Sequence, residues 1–256
     1  MPFTPTHVLA VLPAWPLRRA FPFSAFAIGA MIPDVPLFFP IVTYAQTHSP
    51  WGAVTVCLPL GIAAFFLFER VMRRPLIALL PAWIGSRVSA TTPGPRSTLE
   101  IAELRYFAAV AIAIVIGAYT HQIWDAFTHQ GQWGTQLLPS LNTSLAIGAW
   151  QIPTYKILQH GSTLVGLPLL AGLSLLALNR ITPTVYQAAI APKGKLLAAG
   201  LILAVPIGVA IPTYLVSPNL YQTIFLTVTR SGAILLAMLL AYSLLFSAFV
   251  RHTPDG

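Results

Sequence analysis

Residues 117–131 read GAYTHQIWDAFTHQG, with His121, Asp125 and His129 spaced four apart. Positions i and i+4 share one face of a helix, so His121 and Asp125 can reach a common partner. An imidazole and a carboxylate one turn apart form a metal-ligand pair. That donor set suits Zn, Mn, Fe or Ni better than Ca or Mg. His129 lies two turns beyond His121, about 12 Å along the axis. It is expected to serve a second ion, to orient a ligand, or to leave the face where the helix ends at Gly131.

Further polar residues stand where the chain is otherwise apolar. Asp34 lies in GAMIPDVP, and the flanking Pro33 and Pro36 break a helix, so its carboxylate can be aimed inward beside freed backbone groups. His48 lies in QTHSPWG and His160 in LQHGST. His7 opens THVLAVLPAWP, which is too short to span a bilayer. Entering as a partial helix from outside, this segment brings His7 to the others; lying on the cytoplasmic face, it excludes His7. An intramembrane carboxylate costs about 2.5–3.5 kcal/mol, so Asp34 and Asp125 each need histidinium, a metal ion or a proton as partner. His252 lies next to the C-terminus on the opposite side and carries no expected role.

These groups need a scaffold, and the composition says which. Apolar residues make up 56% of the 256 and charged residues only 8%, too few for a water-soluble surface. The fold class expected is all-α: a polytopic transmembrane helix bundle of about six spans plus a short N-terminal partial helix. The spans fall at roughly 21–45, 52–68, 106–128, 157–178, 196–217 and 231–250, the first broken by four prolines. Residues 1–256 form a single integral membrane domain, with 70–105 as a cytoplasmic loop in which 76–84 lies along the interface.

Charge sets the orientation. With the first span starting inside, twelve of the fourteen Lys and Arg face the cytoplasm, including Arg96 and Arg251, and only Lys156 and Arg230 face out. That places the chain in the cytoplasmic (inner) membrane with its C-terminus inside and the Asp/His set toward the outer leaflet. Trp51, Trp133 and Trp150 fit an outer aromatic belt. The net charge of +8 is spread between apolar runs and forms no stripe, which argues against nucleic acid as a partner. Cys57, the only cysteine, excludes an intramolecular disulfide and a thiolate-built zinc site. The N-terminus lacks a basic leading region and a clean cleavage site, so no signal peptide is expected.

The ordered set MPFTPTHVLAVLP, AIGAMIPDVPLFF, THSPWG, GAYTHQIWDAFTHQG and LQHGST resembles the domain-of-unknown-function 4184 family of bacterial membrane proteins. More loosely, it is similar to bacterial membrane-bound metal-dependent hydrolases, and at greater distance to helical zinc-dependent phospholipases C. Mapped by motif, the hydrolase resemblance implies His7, Asp34, His48, His121 and Asp125 as site positions, with the N-terminal segment re-entrant. The chain departs from the phospholipases in lacking a soluble catalytic domain and further acidic ligands.

The function expected is a metal-dependent hydrolase in which a divalent transition metal, zinc first, activates water against a lipid or lipid-linked phosphoester or ester. The metal positions are His7, His48, His121 and Asp125. Asp34 is the first candidate for a general base outside the ligand set, and is also, with His7 and His48, among the residues that could hold an ion. His129 and His160 are candidates for orienting a ligand or holding a second metal. One alternative is a transporter or proton-coupled carrier, since buried Asp and His also form relays. Another is a non-catalytic protein whose metal or polar site only staples the bundle. The bilayer is the one partner required; lipid-type substrates follow from the depth of the site.

Overall fold

In a computed structural model, residues 3–91, 100–148, 150–185, 190–216 and 219–250 are described. Arg96, Arg251 and His252 lie outside them. The N-terminal segment is a short irregular helix: 3-10 turns over Thr4–His7 and Leu12–Arg19 flank α1 (Val8–Val11). Then come α2 (Phe23–Met31), a 3-10 turn over Ile32–Asp34, α3 (Val35–Phe38) and α4 (Tyr44–Thr47). A π-helical turn at Ala53–Cys57 leads into α5 (Leu58–Leu67), and another at Phe68–Met72 into α6 (Arg73–Leu79). There follow α7 (Ala82–Ala90), α8 (Glu100–Thr128) and α9 (Trp133–Leu137). The antiparallel pair β1 (Ser144–Ile147) and β2 (Trp150–Pro153) precedes α10 (Thr154–Asn179), α11 (Pro192–Val216) and α12 (Leu220–Val250).

Five stretches are long and apolar enough to cross a membrane: Ala53–Leu79, Glu103–Thr128, Thr154–Asn179, Pro192–Pro212 and Gln222–Phe249. A sixth apolar helix, Phe23–Phe38, is shorter. The all-α membrane bundle is therefore as the composition requires. Three boundaries differ from the sequence expectation. The first span does not run from 21 to 45: it ends at Phe38 and is broken at Pro33, whose missing N–H removes a backbone bond and tightens the turn. The second continues to Leu79, so Arg70, Arg73 and Arg74 ride on helix where a loop is expected. A Glu69–Arg73 ion pair of 2.7 Å, one turn apart, supports that extension. Within 76–84 the helix stops at Leu79, Leu80 is extended and Pro81 precedes α7. Arg230 is exposed within α12 and not in a loop before it.

The chain forms two compact units. The first comprises Met1–Pro36, Ile41–Phe65 and Arg96–Ala177; the second comprises Leu37–Pro40, Phe66–Pro95 and Leu178–Gly256. In the second, α11 packs along α12. The Ser231 hydroxyl donates to the carbonyl of Pro206, and Lys195 Nζ donates to the carbonyl of Leu80 at 2.8 Å.

The first unit is organised by α2 against α8. Glycines at the crossing set their distance. A Cβ on Gly117 would fall 2.5 Å from the Phe26 carbonyl oxygen, and one on Gly29 would collide with the backbone oxygen of Ile114. Small residues let helix backbones approach in lipid, where apolar burial gives little drive. The close crossing brings the side chain of His121 onto the backbone of α2. Ile32, Ala53, Cys57 and Ala118 are buried together beside it, packed by Ile28, Val35, Leu60, Ala64 and Tyr119.

Candidate metal centre

His121 and Asp125 project from one face of α8 and are both buried. Nδ1 of His121 is 2.8 Å from the carbonyl oxygen of Ala30 in α2. A carbonyl only accepts, so Nδ1 carries a proton, and in the neutral ring Nε2 keeps a lone pair. Asp34, fully buried, sits in the 3-10 turn after α2. Its Oδ2 accepts from the Thr4 hydroxyl at 2.7 Å, while Oδ1 lies 3.4 Å from His121 Nε2.

His48 arrives at the end of α4. A reciprocal capping box fixes that short helix: Thr43 Oγ1 accepts from the backbone N–H of Gln46, and Gln46 Oε1 accepts from that of Thr43. The buried Thr47 hydroxyl donates to the Pro33 carbonyl at 2.8 Å, tying α4 to the break beside Asp34. The Tyr44 ring stacks on His48 at 3.7 Å, and its hydroxyl donates to Asp125 Oδ2 at 3.2 Å. Burial, and next the charge of Asp125, push the Tyr44 phenol up, so it stays a donor. Nδ1 of His48 meets the Tyr44 carbonyl at 3.1 Å, which leaves Nε2 of this ring, too, as a lone pair.

Both lone pairs point to one place. His48 Nε2 and His121 Nε2 are 3.3 Å apart; each lies within 3.5 Å of Asp125 Oδ2. One donor atom from each of Asp34, His48, His121 and Asp125 lies within 4.8 Å of the other three. With both rings neutral these atoms are all acceptors, and either a metal ion or a proton on one of the rings relieves their repulsion. Asp34 Oδ1 and Asp125 Oδ1 are buried without a hydrogen-bond partner. Two carboxylates and two imidazoles are therefore a donor set that fits a divalent transition metal.

His7 belongs to the same cluster but stands to one side. Its ring stacks on that of His121 at 3.7 Å, Nε2 is 3.5 Å from Asp125 Oδ1, and neither ring nitrogen has a hydrogen-bond partner. The N-terminal segment thus carries His7 to the cluster, which resolves its two possible positions. Asp34 lies within the four-donor group, and His7 lies against Asp125 beside it.

His129 directs Nδ1 to the Asp125 carbonyl at 3.1 Å and Nε2 to the Gln159 amide at 3.1 Å. Nδ1 is also 3.6 Å from Asp125 Oδ2. The ring therefore braces the end of α8, and both nitrogens are engaged within the protein. Burial lowers the affinity of His129 for a proton. His160 is exposed and not part of the cluster; its neighbour Gln159 is the buried residue. One position along a helix turns a side chain by about 100°, and α10 buries Tyr155, Gln159 and Gly166. That stripe takes in Gln159 and leaves His160 out. Tyr44, one turn before His48, and Thr4, one 3-10 turn before His7, are also in the site and escaped the sequence reading.

A cavity of about 650 Å³ reaches His48 and Asp125 from the side of Trp51 and Trp133. A family model described as Domain of unknown function (DUF4184) matches residues 1–248. Neither a curated protein nor a solved structure matches the chain.

Proposed function

The chain belongs to the DUF4184 family, and we propose that it is a membrane-embedded metal-dependent hydrolase whose ion is held by Asp34, His48, His121 and Asp125. One observation carries this reading: the spacing of the donors. A tetrahedral ion with bonds near 2.0–2.1 Å separates its ligand atoms by roughly 3.3–3.4 Å. Four of the six donor pairs, His48–His121, His121–Asp34, His121–Asp125 and His48–Asp125, stand at 3.3, 3.4, 3.4 and 3.5 Å, and the other two lie within 4.8 Å. Zinc is the first candidate on geometry and donor type.

When bound, such an ion supplies a water of pKa near 7 and polarises the oxygen of a substrate. The chain does the rest. Tyr44 holds one oxygen of Asp125 and Thr4 one oxygen of Asp34, while His7 Nε2 stands 3.5 Å from the other oxygen of Asp125. His7, whose nitrogens are otherwise unpartnered, is the group proposed to accept the proton released at the site. The cavity at His48 and Asp125 is the proposed approach for a lipid-type phosphoester or ester. The charge asymmetry of the loops supports a cytoplasmic (inner) membrane location, with the site toward the outer leaflet.

A second reading keeps the metal and drops the chemistry. Four protein donors fill a tetrahedron, and closed four-coordinate sites are structural in many proteins. Elemental analysis of the purified protein, beside His121→Ala and Asp125→Ala, tests the shared premise. We expect one transition-metal ion per chain in wild type and none in either variant. Metal-free wild type at neutral pH would end both readings. Hydrolysis that depends on the ion then separates them.

A further inference from the structure

The cavity that reaches His48 and Asp125 has a distinctive lining. It contains His48, Asp125, Trp51, Trp133, Gln122, Gln132 and Gln136, and no Lys or Arg. Trp51 and Trp133 are 76% and 52% exposed. Gln122 Nε2 donates to the Thr47 carbonyl and Gln136 Nε2 to that of Gly131, which leaves each Oε1 as an acceptor. Among the described residues the side chain of Gln132 has no hydrogen-bond partner. The wall thus offers amides, which both donate and accept, between two aromatic faces.

Phosphate recognition relies on fixed cations, Arg above all, and this wall has none. The ion cannot stand in for them. Two carboxylates, Asp34 and Asp125, balance one divalent cation, so the loaded centre has no net charge to offer an anionic phosphodiester in a low-dielectric site. Hydroxyl groups, which donate and accept at once, complement amide side chains, and ring faces of aromatic residues pack against the C–H face of a polyol.

We propose that the cavity receives an uncharged, hydroxyl-bearing headgroup of the glycosyl type and presents a carboxylic ester to the centre. This rests on the metal reading for its chemistry but not for its binding. Water adds across the acyl bond: the carbonyl carbon gains the water oxygen, the C–O bond to the headgroup breaks, and one proton leaves on the headgroup oxygen. The products are a carboxylic acid and an alcohol; no oxidant or reductant takes part.

The test uses the full chain in lipid nanodiscs, loaded with zinc, and two probes: 6-O-octanoylglucose and dioctanoylphosphatidylglycerol. Release of octanoate from the sugar ester, with KM raised tenfold or more by Trp133→Ala and by Gln132→Ala at unchanged metal content, supports the proposal. Trp133→Phe should restore much of the loss, which a folding defect would not explain. Saturation-transfer NMR of the sugar ester on metal-free His121→Ala reads binding alone. If wild type holds no metal yet binds the sugar ester through Trp133, the hydrolase reading fails and the headgroup assignment stands. If wild type holds zinc but neither binds nor cleaves the sugar ester, or cleaves the phosphoester of phosphatidylglycerol instead, the headgroup assignment is overturned while the metal centre stands.

Discussion

The Nε2 atoms of His48 and His121 face each other at 3.3 Å, and each ring spends its Nδ1 proton on a backbone carbonyl. In their neutral forms neither atom can donate to the other, so the pair marks the place where a cation could be held. It follows that the two rings should be equally needed for the ion. His48→Ala and Asp34→Asn should each lower metal affinity at least tenfold, while His160→Ala, at an exposed position, should leave metal content unchanged. Zinc titration with a competing chelator measures this. Equal loss in His160→Ala, or none in His48→Ala, would contradict the geometry.

Groups that only orient a ligand should show a graded effect. Tyr44 donates to Asp125 Oδ2 and Thr4 donates to Asp34 Oδ2. Removing such partners typically costs about 10–100-fold in metal affinity. Tyr44→Phe and Thr4→Ala are expected in that range, with the ion still bound at high zinc. An unchanged dissociation constant in both variants would show that the hydroxyls do not set the carboxylate positions.

What the sequence disclosed depended on how local the signal was. The i, i+4 pair His121 and Asp125 is read within one helix, and the apolar runs are read by length, so both were legible. The way Asp34 and His7 meet that pair was not. It depends on Thr4 reaching across thirty residues to Asp34, and on the His7 ring stacking on His121, contacts with no periodic trace. The second span was placed too short because Arg70, Arg73 and Arg74 look like loop residues until Glu69 pairs with Arg73 on the helix face. The glycine crossing was hidden for another reason: Gly29 and Gly117 lie far apart in sequence, and glycine is common in membrane helices.

That crossing carries a prediction of its own. Ala30 offers its carbonyl to His121 only because Gly29 and Gly117 let α2 and α8 touch. Overpacking a close contact costs about 1–3 kcal/mol. Gly29→Val and Gly117→Val are expected to lower the unfolding midpoint and the metal occupancy together, although neither side chain touches the ion. Thermal unfolding paired with elemental analysis is the check. Loss of stability with full metal occupancy would mean that the crossing does not position His121.

Chelation gives the converse. An ion bound only by the folded chain stabilises it by about 2.7 kcal/mol at a free concentration one hundred times its dissociation constant. Chelator should therefore lower the wild-type unfolding midpoint and leave that of His121→Ala unmoved. A shift of equal size in both proteins would point to metal bound elsewhere.

The last prediction concerns pH and uses metal-free protein, so that ligand protonation does not intrude. Burial holds the pKa of His129 below its ordinary 6.5 in the folded chain. As pH falls past that value the unfolded chain takes up the proton first, and the folded chain resists it. The contribution of His129 to stability is thus fully present above about 6.5 and is lost progressively as pH drops toward the lowered folded value. The Gln159 amide on Nε2 and the Asp125 carbonyl on Nδ1 require the neutral ring, one nitrogen accepting and the other donating. Denaturation at pH 7.5 and 5.5 should therefore show wild type losing more stability than His129→Gln, which cannot titrate. Equal losses would show that His129 is not the group that resists the proton, and its bracing of α8 through Gln159 would need another test.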